Sequence, residues 1–467
     1  MDRGPDGRTY ICIDLKSYYA SVECVARGLD PLKARLLVAD ETRSDNTIVL
    51  AVSPALKAVG VRSCPRLFEA KQAIRLAEAQ LRQKLDFIIA PPRMAEYERV
   101  SAAIYGIYLK YVAMEDIHVY SIDEVFMDVT AYLSMYRQRA ERAGMAPAHF
   151  MAITIIRDVL KSTGITATVG IGPNLYLAKV GMDIVAKKAP PDRDGVRIAE
   201  LDEDLYKRLL WPVRPLTAFW QMGEGKTRRL AKYGIMTMGD IARASIVEEE
   251  FLYRLFGIDA EILIDHAWGI EPCTIADIKA YRPKAHSLSV GQVLPRPYAF
   301  GEAKLVFAEM AEQLSMDLVA KGLATGCLTF WVSFDPVSLE KCSYDGPVAI
   351  DYYGRPHPKH TGGTVRLRTR TASARTLREA LLAAFDANVD HRLYVRRLGI
   401  CANDTHNDCV QLDMFTDYAA LESEERIQRV ILGIRRKYGN NAILKGMNYL
   451  EGATARARNT QIGGHRA

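Results

Sequence analysis

This 467-residue chain has no Cys-x-x-Cys pair, no long apolar run and no large excess of charge of either sign. Its eight cysteines, at 12, 24, 64, 273, 327, 342, 401 and 409, stand singly, so neither a zinc knuckle nor a disulfide framework is signalled. A reducing, cytoplasmic setting is expected. No stretch reaches the ~20 residues that cross a bilayer, and residues 1–9 are polar where a signal peptide would be apolar, so no membrane partner is expected. A net charge of +6 is too small to announce a nucleic-acid binder from composition alone. What is present, 49% hydrophobic and 25% charged residues, describes a globular chain long enough for two to four domains.

Two acidic segments more than a hundred residues apart carry the most information. Near the start stands Ile13-Asp14-Leu15-Lys16-Ser17-Tyr18-Tyr19-Ala20-Ser21-Val22-Glu23, and further on Ser121-Ile122-Asp123-Glu124-Val125-Phe126. Each sets carboxylates at the end of an apolar, strand-like run, where folding could join Asp14, Asp123 and Glu124 into a cluster of hard oxygen ligands suited to magnesium. A pair of cations roughly 3.5–4 Å apart is the general device for in-line displacement at phosphorus. Taken singly, an Asp after a strand is more often a cap, and Asp-Glu at a hairpin tip an ordinary solvated turn. The aromatic pair Tyr18-Tyr19 shifts the balance, because rings so close to a metal cluster would wall off one side of a nucleotide sugar.

These two segments resemble the catalytic motifs of the Y-family, translesion DNA polymerases, the UmuC-like branch most closely. The resemblance spans about residues 10–415. It implies metal-binding roles for Asp14, Asp123 and Glu124, with the Leu15 carbonyl as a further ligand of two Mg2+ ions. Tyr19 corresponds to the steric gate against a ribose 2′-hydroxyl, with Tyr18 packed beneath it, and Lys16 to a variable surface position. The segment from Gly170 to Lys179 resembles the family stretch whose lysine reaches the incoming triphosphate, so Lys179 is expected there. Where many relatives carry Tyr-x-x-Arg, this chain has Ser53-Pro54-Ala55-Leu56-Lys57. Lys57 keeps the charge without the bidentate fork, and Ser53 is the nearest hydroxyl to the missing tyrosine.

Alternating strand and helix patterns predict an α/β and α+β multidomain chain, and the resemblance names its parts. Residues 1–30 and 86–204 form a ferredoxin-like palm, 31–85 a small fingers insert, 205–275 a helical thumb, 276–286 a linker, and 287–405 a β-α-β-β-α-β little finger. Residues 406–467 form a tail. In the thumb, Gly223 and Gly225 belong to a helix-hairpin-helix whose backbone amides can approach a DNA phosphate. In the little finger, ten Lys and Arg stand against three acids between Arg355 and Arg397. There Arg366, Arg368 and Arg370 alternate with apolar and Thr residues, so a strand sends all three to one face about 6.6–6.8 Å apart. A solvated sheet face usually mixes charges. One of arginine alone favours a sequence-independent, salt-sensitive grip on phosphates.

Gln411-Leu412-Asp413-Met414-Phe415 resembles the bacterial sliding-clamp-binding peptide. The implied partners are primer-template DNA, deoxynucleoside triphosphates and the sliding clamp, serving a monomeric catalytic chain with accessory subunits possible. Two other classes use similar parts: an adaptor that has lost its acids, and a two-metal nuclease, which has no reason to keep the Tyr18-Tyr19 wall. A helix near residues 421–438 and the basic end are left without a role.

Overall fold

The structure, a computed structural model, describes residues 7–283, 286–407 and 417–467. It divides into two compact units, one running to Tyr281 with His465–Ala467, the other Arg282–Gly464.

The first unit opens with β1 (Tyr10–Leu15) and α1 (Tyr18–Ala26). A three-stranded sheet then forms from β2 (Leu36–Val38), β3 (Ala51–Val52) and, after α2 (Pro54–Ala58) and α3 (Leu67–Leu81), β4 (Ile88–Ala90). Residues 86–90, expected to open the second palm segment, belong with residues 31–85, because Ile88–Ala90 pairs in parallel with Leu36–Val38 and not with β1. Helix α4 (Met94–Tyr108) leads to a hairpin, β5 (Ile117–Val119) and β6 (Glu124–Asp128). Then come α5 (Leu133–Arg142), α6 (Pro147–Thr163), β7 (Ala167–Gly172), α7 (Leu175–Val180) and β8 (Arg197–Glu200). The large sheet has the order β5-β6-β1-β7-β8, with β1 antiparallel to both neighbours. The central strands are apolar on both faces, so helices cover both, and Ile11, Ile13, Phe126, Met127 and Val169 are wholly buried.

Five helices follow: α8 (Glu203–Leu210), α9 (Glu224–Ala231), α10 (Met238–Phe256), α11 (Asp259–Trp268) and α12 (Ile275–Ala280). The first four share an apolar core around Tyr206, Leu230, Ile241 and Leu263, whereas Ile275 of α12 packs with Tyr10 and Phe126 of the large sheet. Helix α12 occupies the start of the expected linker, since Thr274 and Asp277 form a reciprocal capping box there.

The second unit is built on β9 (Leu288–Tyr298), α13 (Phe300–Lys321) and β10 (Leu323–Phe334). After α14 (Val337–Lys341) and the small hairpin β11 (Val348–Ile350) and β12 (Pro356–Pro358) come β13 (Thr361–Thr371), α15 (Ala374–Asn388) and β14 (Val395–Asn403). The β-α-β-β-α-β order is the expected one, and the four long strands pair as β13-β10-β14-β9, all antiparallel. One sheet face, with Leu328, Phe330, Val332, Leu398 and Ile400, packs with Phe307 of α13 and Phe385 of α15.

Residues 417–464 belong to this second unit and are no loose tail. After the short β15 (His406–Asn407), α16 (Tyr418–Tyr438) lies on α13 through polar contacts: the Gln428 amide donates to Ser315 Oγ at 2.8 Å. Beyond it, buried Glu309 of α13 accepts from Asn448 Nδ2 at 2.8 Å and from the backbone N–H groups of Thr454 at 2.8 Å and Ala455 at 3.1 Å. A buried carboxylate is tolerated only when so satisfied, which ties this segment to the unit.

Candidate active site

The chain leaves β1 through Ser17, whose φ of 48° lies in the left-handed region. For a residue with a side chain that costs about 1 kcal/mol or more, and such strain persists where the surroundings over-determine it. Its effect here is to start α1 at Tyr18, so two rings follow within a few residues of Asp14. Tyr18 is buried, its hydroxyl donating to the Tyr97 carbonyl at 2.6 Å. Tyr19 stacks on the Tyr97 ring with centroids 4.4 Å apart. One turn further on, Glu23 is fully buried and accepts from Arg93 Nε and the Tyr97 hydroxyl, each at 2.9 Å. Burial alone would raise its pKa, but these donors and Arg27 hold it below the usual range. The network locks α1 to α4 and so fixes the attitude of both rings.

The acids arrive by strand register. Asp14 pairs with Glu124 across β1 and β6, so both side chains share a face, and the Leu15 N–H donates to the Asp123 carbonyl at 2.9 Å. A cavity of about 260 Å³ opens beside them, lined by Asp14, Leu15, Tyr18, Tyr19, Lys57 and Asp123 together with Ser17 and residues 50–52. Lys57 crosses from α2, its Nζ donating to Ser17 Oγ at 3.0 Å. The cavity therefore joins a strand end, an aromatic wall and one lysine from the small sheet's layer.

Three residues expected at the site stand differently. Ser53 is wholly buried, its hydroxyl oxygen accepting from the Leu36 N–H at 3.0 Å, so it closes the small sheet and does not line the cavity. Glu124 does not line the cavity: its Oε1 meets Lys179 Nζ at 2.6 Å and accepts from Cys12 Sγ at 3.4 Å. Lys179, expected to reach a triphosphate, is buried between Glu124 and Asp183, the latter at 2.8 Å. The cause is close packing of α7 on β7. A Cβ on Gly170 would stand 1.9 Å from the Ala178 carbonyl oxygen, and one on Gly172 2.7 Å from the Ala178 nitrogen. Only glycine lets the helix approach so far, and the approach drives Lys179 onto the acid.

Two residues of this site escaped the sequence reading: Asp183 and Lys187. Lys187 Nζ lies 2.6 Å from Asp14 Oδ2 and 2.7 Å from Asp183 Oδ1. The signal was there as Lys179-Asp183-Lys187, spaced i, i+4, i+8 with alternating charge, which lays one ionic stripe along a helix. A wide π turn over Gly181–Val185 continues α7 toward Lys187. Burial raises the pKa values of Asp14 and Glu124, while Lys187 and Lys179 respectively pull them back. Against the raising effect of partial burial, Lys187 and Lys179 hold half-buried Asp183 below the usual range. Against the lowering effect of burial, Asp14 and Asp183 hold Lys187 well above an ordinary lysine.

The donor set fits hard divalent cations. Asp14 and Glu124 share a face, Asp123 is the next residue, and Asp14 is electrostatically disfavoured by Asp123, as is Glu124 by Asp14. Among the described residues no three metal-ligating side chains are already gathered as a closed cage, and ammonium groups satisfy two of the three acids.

The residues expected to hold DNA lie on other elements. Gly223 precedes α9 and Gly225 sits in its first turn; both are exposed, with nothing within 4 Å of where a Cβ would stand. Arg366, Arg368 and Arg370 are exposed on one face of β13, and Arg370 pairs with Asp404 at 3.2 Å. The proposed clamp peptide, Gln411, Leu412, Asp413, Met414 and Phe415, lies outside the described residues. Among the described residues no helix is long and apolar enough to cross a membrane.

A pocket lined by two acids, a lysine and two tyrosines, in a chain that also carries a β-α-β-β-α-β unit, points to a nucleotide-polymerising class of protein, and comparison with known proteins agrees. Residues 13–183 match the impB/mucB/samB family, and residues 285–414 match the impB/mucB/samB family C-terminal domain. UvrX of Bacillus subtilis (strain 168), named for UV-damage repair, is 29% identical over 98% of each chain. DNA polymerase IV 2 of the same organism is 29% identical over 97% of each, and its namesake from Halalkalibacterium halodurans 28% identical over 97% of this chain and 98% of that one. Among solved structures, a Y-family DNA polymerase chimera built from Dbh and Dpo4 shares the fold with a TM-score of 0.58, covering 85% of this chain and 98% of its own at 19% identity. The chain belongs to the impB/mucB/samB family, the Y-family DNA polymerases.

Proposed function

We propose that this polymerase adds deoxynucleotides to a primer 3′-hydroxyl opposite damaged template, with release of pyrophosphate, using two Mg2+ ions held by Asp14, Asp123, Glu124 and the Leu15 carbonyl. The observation that carries the reading is the cavity in which Asp14 and Asp123 face Tyr18 and Tyr19. Divalent cations bound there would make the attacking hydroxyl more acidic and offset charge on the leaving group. The chain supplies the rest. Lys57 on the cavity wall offers a point charge to the triphosphate, without arginine's fork. The stack of Tyr19 on Tyr97 makes Tyr19 a rigid edge, which supports its reading as the gate against a 2′-hydroxyl. Lys187 and Lys179 hold Asp14 and Glu124 in place, and Lys187 is the better placed of the two to turn toward a phosphate, being the more exposed.

Domain roles follow the same reading: the large sheet as palm, the small sheet and its helices as fingers, the helices from α8 onward as thumb, and the second unit as little finger. Backbone amides at Gly223 and Gly225 and the β13 arginines would take DNA phosphates, and no proofreading activity is assigned. Recruitment by a sliding clamp through Gln411–Phe415 completes the proposal.

The test is primer extension by the unchanged protein and by Asp123→Ala. Extension lost in the variant supports the polymerase; shortening of the primer would point to a nuclease, and an inert unchanged protein to an adaptor. Deleting residues 411–415 should weaken clamp binding while short-template extension persists, and equal clamp affinity in the deletion would remove that assignment.

A further inference from the structure

Four tryptophans occur in the chain, and three are tied down. Their indole N–H groups donate at 2.8 Å to the Ala267 carbonyl from Trp211, at 3.0 Å to the Tyr120 hydroxyl from Trp220, and at 3.1 Å to Ser245 Oγ from Trp268. Trp331 differs. It stands in the C-terminal half of β10 on the open face of the second unit's sheet, 39% exposed, and among the described residues its N–H meets no hydrogen-bond partner.

The floor beneath it is built from glycine. Strand register places Gly362 of β13 and Gly399 of β14 on either side of Trp331, with Gly291 of β9 beyond Gly399. A Cβ on Gly399 would stand 2.1–2.4 Å from indole atoms, so the ring lies flat over that residue and would be displaced by any side chain there. The Arg397 guanidinium sits 5.5 Å from the ring centroid and braces it. Arg366 stands on the same face four residues along β10's register, about 13 Å away. Arg366 and Arg368 meet no carboxylate among the described residues. No outward position of the four strands carries an acid.

A structural tryptophan buries its ring and satisfies its N–H. One laid flat on a four-stranded sheet backed by two helices, with its N–H free and cations beside it, matches the physics by which such sheets stack unpaired bases. We propose that Trp331 is a stacking platform for an unpaired base of a DNA strand whose phosphates lie along the arginines of β13. The inference rests on the reading of this sheet face as DNA-binding.

It is tested with the full-length protein and fluorescence anisotropy of two labelled probes, an oligodeoxythymidylate and a blunt hairpin duplex of equal length. Trp331→Ala should weaken oligodeoxythymidylate binding about tenfold and duplex binding less than about threefold, and Trp331→Phe should recover most of the loss, because a base needs only an aromatic face. Equal loss on both probes, no loss on either, or a Phe variant as weak as the Ala variant would each overturn the proposal. Primer extension by the unchanged protein is read alongside: its failure would sink the polymerase reading, whereas the two-probe comparison reports on Trp331 alone.

Discussion

The two large sheets of this chain are treated oppositely by their surroundings. The β5-β6-β1-β7-β8 sheet is buried on both faces, and the largely buried acids around it are each paired with a cation: Glu23 with Arg93, Asp14 with Lys187, and Glu124 with Lys179, the last pair buried on both sides. The β13-β10-β14-β9 sheet is buried on one face only, and its arginines project from the other with few partners. Buried pairs cost desolvation and return geometry, because a charge without its partner is intolerable there. Exposed, unpaired cations return little stability but a long-range field that a polyanion can use. On the proposed reading, chemistry is placed where position is over-determined, and affinity where it is not.

Breaking one member of a buried pair should give the largest effect. Glu23→Ala strands Arg93 and Arg27 and frees the Tyr97 hydroxyl, and should lower unfolding free energy by about 3 kcal/mol, read as a fall in urea midpoint. Since the folded pKa of Glu23 is depressed, this stabilisation is present above the ordinary value of about 4.3 and is lost as pH falls through the folded value. A urea midpoint measured from pH 7 to pH 3 should therefore drop more steeply in the unchanged protein than in Glu23→Ala; parallel curves would contradict the pairing.

The same logic applied to the second unit gives a smaller change. Glu309→Ala leaves the Asn448 amide and the Thr454 and Ala455 N–H groups without an acceptor, at a cost of about 2 kcal/mol, and should expose residues 445–458 to proteolysis before the rest. At the cavity, Tyr19→Ala should leave the fold intact and reduce discrimination against ribonucleotides by about tenfold, read from incorporation ratios. Unchanged sugar selectivity would remove the gate from Tyr19. Smallest in stability is Arg366→Ala with Arg368→Ala: no measurable change in unfolding, but a slope of log affinity against log salt shallower by about two for DNA. An unchanged slope would make the arginine face a solvated surface and nothing more.

Sequence patterning carried much of this architecture. Helices at 147–163 and 300–321 and the four long strands of the second unit announce themselves through period and capping, because those segments meet the same environment along their whole length. Short strands did not. Ile88–Ala90 is three residues long, and nothing local distinguishes pairing with β1 from pairing with β2. Ser53 and Lys179 show the same limit at the site, where the family resemblance implied nucleotide contacts and packing gives Ser53 a hydrogen bond from the Leu36 N–H and Lys179 an ion pair with Glu124.

By itself the sequence determined which residue types could do chemistry and the order of elements that carries them, since both are written in local composition and period. Only the tertiary structure decided which charge faces which. The close approach of α7 to Gly170 and Gly172 turns two lysines into counter-ions of the acids, and the row Gly362, Trp331, Gly399 and Gly291 assembles from four strands whose paired residues lie more than a hundred positions apart at the extreme. Contacts of a few ångströms between distant segments depend on register and packing, and neither is a property of any one segment.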